Sequence, residues 1–202
     1  HCLLGFNSAE AGVYIGGGDT QLTNEVIRIT DGYGSWGYQS ASASLASSSW
    51  HHIVCVWHTS DSSTNSGNKG YDIYLNATKV GNGFGNYGVY GNRNFITTTK
   101  VVQADMARDG HHAYLDGFLD EVAIWNASLS SADITDIYNS GVPNDLTESA
   151  SYDTDRTSNL IGYWRNGDGT ENGSGTTIHD MSSNSNDMTL TNGPTYSDTV
   201  PS

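Results

Sequence analysis

The chain is poor in cations. Its 202 residues hold 8 Lys and Arg against 22 Asp and Glu, a formal net charge of −14 at pH 7. A surface of that sign repels phosphate backbones, which excludes nucleic acid as a partner, and it disfavours anionic membrane surfaces. Charged residues of both signs reach only 15%, against about 25% in an average globular domain. No run is long and apolar enough to span a bilayer, so no membrane insertion is expected. No leader segment is visible either. The chain opens inside strand-like sequence, His1-Cys2-Leu3-Leu4-Gly5-Phe6, and residues upstream are expected to have been removed. Cysteine is scarce: Cys2 and Cys55 allow one bridge, but both sit in apolar runs, where a buried free thiol is the commoner state. Apolar residues, at 36%, still suffice for a core, which excludes bulk disorder. The length fits one domain, or one and a fraction.

What is there in quantity is glycine, 24 residues, with Asn and Ser turns between short strand-like runs. Glu25 to Thr30 alternates, with Ile27 and Ile29 on one face, which predicts a half-buried strand. Ile53 to Trp57 is a continuous apolar run and suits a strand buried on both faces. Tyr71 to Leu75 alternates and then turns at Asn76-Ala77. Phe118 to Trp125 is rich in β-branched and aromatic residues and predicts a long strand. Leu160 to Trp164 reads as another strand, and Met188 to Leu190 as a last one. Strands at this spacing indicate an antiparallel sandwich rather than a parallel α/β sheet.

One helix is expected. Ser130 is a good N-cap with Asp133 as its capping-box partner. Leu129 and Ile134 make a hydrophobic staple, and Ile134, Ile137 and Tyr138 form an apolar face. Gly141 is expected to supply the left-handed stop, with Pro143 preventing continuation. Asn144 to Ser158 is polar and aperiodic and reads as a connector. Asp180 to Asp187 reads as a polar loop.

Several of these segments, in this order, carry a resemblance. Trp50-His51-His52-Ile53-Val54, the strand Tyr71 to Asn76, Gly117-Phe118-Leu119-Asp120-Glu121-Val122 with Trp125 close behind, and the helix motif Leu129 to Gly141 are together similar to the laminin-G/pentraxin branch of the concanavalin A-like lectin/glucanase superfamily. Asp133 stands where that family has Glu, and Ala77 where it has a turn Gly. The C-terminal stretch, Leu160 to Trp164, Gly167-Asp168-Gly169 and Asp180 to Pro194, resembles the opening strands of the same kind of domain, here placed last. The resemblance implies an all-β fold, a two-sheet antiparallel jelly-roll sandwich with one short helix. Residues 1–146 form the sandwich and 147–158 a connector. Residues 159–202 are strands that complete the sandwich or open a further domain.

Carboxylate spacing argues against hydrolysis. Asp116 and Asp120 on one strand would lie about 13 Å apart at ~3.3 Å per residue. Glycosidases want their two carboxyls at about 5–5.5 Å or 6.5–9.5 Å. The chain holds five Glu, and Glu121 is the one in the family-like strand; the close acidic cluster of the superfamily's glucanases is absent. Asp120 and Glu121 are expected to satisfy loop amides at a strand end. His51 and His52 read as packing residues. His111 and His112 have no accompanying Cys or His set for zinc. Gly16-Gly17-Gly18 lacks the Lys-Ser/Thr and helix of a phosphate cradle. Three N-x-[ST] triplets, at Asn76, Asn126 and Asn172, are of the kind a chain so rich in Asn, Ser and Thr produces by chance.

The resemblance implies calcium instead, held by oxygen ligands in a rim loop. The loop before the D-E-V strand offers Gln103, Asp105, Asp109 and Asp116; a solvated acidic loop is the alternative. The remaining candidates are aromatics in Gly-rich loops, Tyr33 and Trp36 in one, Phe84, Tyr87 and Tyr90 in another. Such rings stack on sugar faces while Asn and Gly amides meet hydroxyls, and Tyr, Gly and Asn suit adaptable binding loops. Rings facing the core or a neighbouring subunit are the alternative. The leading expectation is a non-catalytic recognition or adhesion module that contacts glycans outside a cell or on a virion surface. An architectural subunit, packing on neighbouring subunits or on copies of itself, is the second. A polysaccharide-degrading enzyme is the third.

Overall fold

The computed structural model describes residues 2–6, 11–15, 26–31, 38–42, 45, 48–57, 71–83, 104–106, 115, 117–166, 175–197, 199 and 201. Two compact units divide the chain, His1–Gly117 and Phe118–Ser202.

The first unit is built from antiparallel strands: β1 (Cys2–Phe6), β2 (Ala11–Ile15), β3 (Val26–Asp31), β4 (Tyr38–Ser42), β5 (Ile53–Trp57), β6 (Tyr71–Leu75), β7 (Thr78–Gly83) and β8 (Ala104–Met106). One sheet runs in the order β4-β3-β2-β1-β8 and another in the order β5-β6-β7. Residues Ile53 to Trp57 and Tyr71 to Leu75 pair along their whole length, from Ile53 opposite Leu75 to Trp57 opposite Tyr71. Both sheets feed one apolar cluster of Val13, Ile27, Leu45 and Ile73, against which Leu3, Ile15, Ile53, Leu75 and Val80 pack. Ile27 is completely buried, as the alternation of its strand requires. The β6–β7 hairpin turns through two residues, Asn76 (φ 49°) and Ala77 (φ 60°). Two positive φ values in a two-residue loop are the type I′ arrangement, whose twist matches that of the strands. Cys55 is a free thiol, so no bridge joins it to Cys2. Burial pushes that thiol up to about 12, which makes it a packing group rather than a nucleophile.

The second unit holds β9 (Val122–Trp125), α1 (Ser131–Tyr138), β10 (Leu160–Trp164), β11 (Thr177–Ile178) and β12 (Met188–Thr189). β10 pairs antiparallel with β9, from Leu160 opposite Trp125 to Trp164 opposite Val122, and β11 pairs with β12. Gly162 is required in β10: a Cβ there would sit 2.3 Å from the Trp164 ring. The helix starts as its sequence dictates. Ser130 caps it, the Asp133 amide donating to Ser130 Oγ at 3.0 Å and the Ser130 amide to Asp133 Oδ2 at 2.9 Å. Leu129 and Ile134, the staple positions, are buried, and so is Ile137.

Three expectations need correction. The helix ends at Asn139 (φ 42°, ψ 43°), two residues before the glycine expected to stop it. Asn tolerates the left-handed region because its short amide bonds locally, and here it donates to Val142 O and to Asn144 Oδ1. The strand expected from Phe118 begins only at Val122, because Glu121 lies at φ 51° and Phe118 is 59% exposed. The aperiodic stretch after residue 144 is folded. Leu146, Ser151 and Tyr152 are buried, and the Tyr152 hydroxyl donates to Leu146 O at 2.6 Å.

Candidate functional site

A cluster of ionisable side chains lies at the head of β9. Asp120 Oδ1 accepts the Glu121 amide at 2.9 Å and fixes the sharp turn. Glu121 is thereby turned towards β10. Its Oε2 accepts the Tyr163 hydroxyl, and its Oε1 accepts Arg165 Nε at 3.1 Å. Tyr163 is completely buried, and its hydroxyl also lies 3.1 Å from Asn144 O. Burial, then the adjacent Glu121 charge, pushes the Tyr163 pKa far above its ordinary value, so the phenol stays protonated and donates. One residue further along, Asn166 (φ 54°) donates from Nδ2 to Leu119 O at 3.3 Å. The Glu121 carboxylate is therefore held by a buried phenol and a half-buried guanidinium.

Other acids of this unit, buried Asp133 and Asp180 and exposed Asp187, are used the same way. Asp133 is fully buried and accepts Ser130 N and Thr154 N at 2.9 Å and Arg156 Nε at 3.0 Å. Burial works to raise its pKa, but the hydrogen bonds from Thr154, Ser130 and Arg156 outweigh it and hold the carboxyl below its ordinary value. Asp180 accepts the Tyr163 and Ser182 amides on Oδ1, and the Ser182 hydroxyl and Asn186 amide on Oδ2. Asp187 accepts the Asp180 amide and meets His179 Nδ1 at 3.1 Å. The loop expected at 180–187 is thus a cap tied to β10, with Asn186 and Asn184 donating to Ile161 O and Leu160 O. Carboxylates filled by N–H and O–H donors are the opposite of the oxygen cage that calcium needs. No group of three or more His, Cys, Asp or Glu among the described residues is placed to hold a metal ion.

Of the residues expected to bind ligand or calcium, Tyr33, Trp36, Phe84, Tyr87, Tyr90, Gln103, Asp109 and Asp116 lie outside the described residues. Asp105 is at the centre of β8, opposite Gly5 of β1. His111 and His112 are also outside the described residues. His52 is tied into the first unit by its backbone: its amide donates to Asn76 Oδ1 and its carbonyl accepts the Asn76 amide, both at 2.9 Å. Burial lowers the His52 pKa to about 4, so its ring is neutral near pH 7.

The Laminin_G_3 family model of the concanavalin A-like lectin/glucanases superfamily matches residues 4–135. The chain belongs to that family. Membership implies a β-sandwich. No curated protein and no solved structure matches the chain. The family match ends inside α1, whereas Tyr163, Arg165 and Asn166, which bind the Glu121 turn, lie beyond it. Sequence reasoning singled out Asp120 and Glu121 but missed these three partners. The available signal was a tyrosine in a strand apolar enough to be buried, since a buried phenol needs an acceptor. No described helix is long and apolar enough to cross a membrane.

Proposed function

We propose that this laminin-G-like chain is a non-catalytic recognition module that contacts glycans, displayed on a cell or virion surface. The observation that carries this reading is the state of Glu121. The acid in the strand most like the family's is engaged by Tyr163 and Arg165, in an arrangement that stabilises a turn and leaves no poised acid–base pair at that point. The sandwich is read as a jelly roll of two antiparallel sheets, with Tyr33, Trp36, Phe84, Tyr87 and Tyr90 in its ligand-contacting loops. Calcium, in this reading, is held in the rim loop by Gln103, Asp105, Asp109 and Asp116. The test is a glycan array with the full chain, followed by calorimetry on the strongest hit and a reducing-end assay. Binding without turnover is expected, weakened by Tyr87→Ala and Tyr90→Ala in folded protein and by a chelator. Turnover would replace this reading with that of a degrading enzyme. No binding to any glycan, together with an aromatic-rich contact between copies, would favour an architectural subunit.

A further inference from the structure

We propose that Asn192 is a site of spontaneous covalent modification, where the side-chain amide becomes aspartate and isoaspartate through a succinimide formed with the Gly193 backbone nitrogen. The chain holds four Asn-Gly pairs, beginning at Asn82, Asn166, Asn172 and Asn192. Glycine suits this chemistry because no Cβ shields its nitrogen. What separates the pairs is how the fold holds them. Asn82-Gly83 lies in the β6–β7 ladder, opposite Asp72 and Tyr71. Asn166 is tethered, donating from Nδ2 to Leu119 O at 3.3 Å. Asn172-Gly173 lies outside the described residues. Asn192 and Gly193 are both exposed, in a bend beyond β12. Among the described residues, none bonds to the Asn192 side chain or to the Gly193 amide. Their φ values, 64° and 88°, are both positive, as in a type I′ turn. Such a turn is ordinarily closed by the N–H of its fourth residue, which here is Pro194 and has none. A Cβ on Gly193 would meet nothing within 4 Å. The anchors of this segment fall on either side of the pair: Leu190 N donates to Thr176 O and the Tyr196 hydroxyl to Thr177 O, both at 2.7 Å. The bend is therefore unlocked, and rotation of the Asn192 backbone can bring the Gly193 nitrogen onto Asn192 Cγ.

The step uses only water. The Gly193 nitrogen gives its proton to solvent base and attacks Asn192 Cγ. A carbon–nitrogen bond forms, the bond from Cγ to the side-chain nitrogen breaks, and ammonia leaves. Water then opens the ring. Cleavage at Cγ gives aspartate, and cleavage at the backbone carbonyl gives isoaspartate, with the main chain running through the former side chain. Either product adds one negative charge to a chain already at −14.

The experiment incubates the full chain in mildly alkaline buffer, folded and in guanidinium chloride, and follows each Asn-Gly pair by peptide mapping with mass spectrometry. Asn192 converts in the folded chain at close to its unfolded rate, yielding both aspartate and isoaspartate. Folding slows Asn82 and Asn166 about tenfold or more, because each must first open locally. Gly193→Ala, which places a Cβ beside the attacking nitrogen, slows Asn192 in folded and unfolded chains alike. Folding that protects Asn192 as strongly as Asn82 and Asn166 overturns the proposal. So does aspartate without isoaspartate, since direct hydrolysis of the amide makes only the former, and so does a rate indifferent to Gly193→Ala.

Discussion

In residues 1–117 order comes from ladders: a five-stranded and a three-stranded antiparallel sheet close on Val13, Ile27, Leu45 and Ile73. Among the described residues of 118–202 no strand exceeds five residues, and carboxylates take over the work of ladders. Asp133 ties α1 to Thr154 and Arg156, Asp180 ties its loop to β10, and Glu121 ties β9 to Tyr163 and Arg165. The difference gives several of the chain's acids a folding role. In the second unit these acids are structural acceptors: Asp133 and Asp180 satisfy backbone amides, and Glu121 satisfies the Tyr163 hydroxyl and the Arg165 guanidinium.

The sharpest break of that contrast is Asp133→Ala. It strips the acceptor from two backbone amides and leaves the half-buried Arg156 without its counter-ion. Removing one partner of such a buried pair costs about 4 kcal/mol. Urea unfolding followed by hydrogen exchange should show that loss in residues 118–202, with protection of the β2–β3 ladder retained. Equal loss of protection in that ladder would mean that the two units unfold as one, and the contrast between them would lose its thermodynamic meaning.

Acid separates the units by a different route. His52 of the first unit is half-buried and neutral, with its pKa lowered by burial to about 4, whereas an unfolded histidine takes its proton near 6.5. Below that point the unfolded chain binds more protons. Stability is complete above pH 6.5 and falls as pH drops towards 4, by about 3 kcal/mol. Asp133 of the second unit is held below its ordinary value, so its contribution persists above the unfolded carboxylate pKa and is lost only below about pH 4. Residue-resolved exchange across pH 7 to 3 should therefore show the first unit weakening before the second. His52→Gln should remove the earlier step. A simultaneous loss would show that burial of His52 does not govern the acid limb.

The elements legible from sequence were those whose signals are local. Ile53–Trp57, Tyr71–Leu75 and Leu160–Trp164 begin and end where the apolar pattern does, because turn residues bound each run. The capping box of Ser130 and Asp133 spans three residues and needs nothing from elsewhere. The misplaced boundaries have identifiable causes. Asn139 pre-empts Gly141 because two residues able to adopt the left-handed region stand close together. Val122 starts β9 because a phenol and a guanidinium beyond residue 160 turn Glu121 out of the strand, and no window around Glu121 contains them. The folded stretch after 144 lacks periodicity because side-chain turns hold it, as where Asp145 Oδ1 accepts both the amide and the hydroxyl of Thr147. Half of the candidate site was readable for the same reason: Asp120 and Glu121 belong to a contiguous motif, whereas their partners come from a segment joined to it only by folding.

The smallest expected effect sharpens the account of the first unit, where backbone geometry dominates. Ala77 occupies the second position of the β6–β7 turn at φ 60°, where a Cβ is unfavourable and glycine is the ordinary choice. Glycine there relieves the left-handed strain, about 1–2 kcal/mol for an L-residue, but gives the unfolded chain more freedom, which offsets part of the gain. The net expectation for Ala77→Gly is a stabilisation of about 0.5–1 kcal/mol. His52, just before β5, and Asn76 of the turn keep their mutual bonds in the variant because both use groups that the substitution leaves untouched. The rise should therefore appear in the melting temperature and in exchange protection of β6 and β7, with residues 118–202 unchanged. A fall in stability would mean that the Ala77 methyl, which is half-buried, contributes packing worth more than the strain it carries.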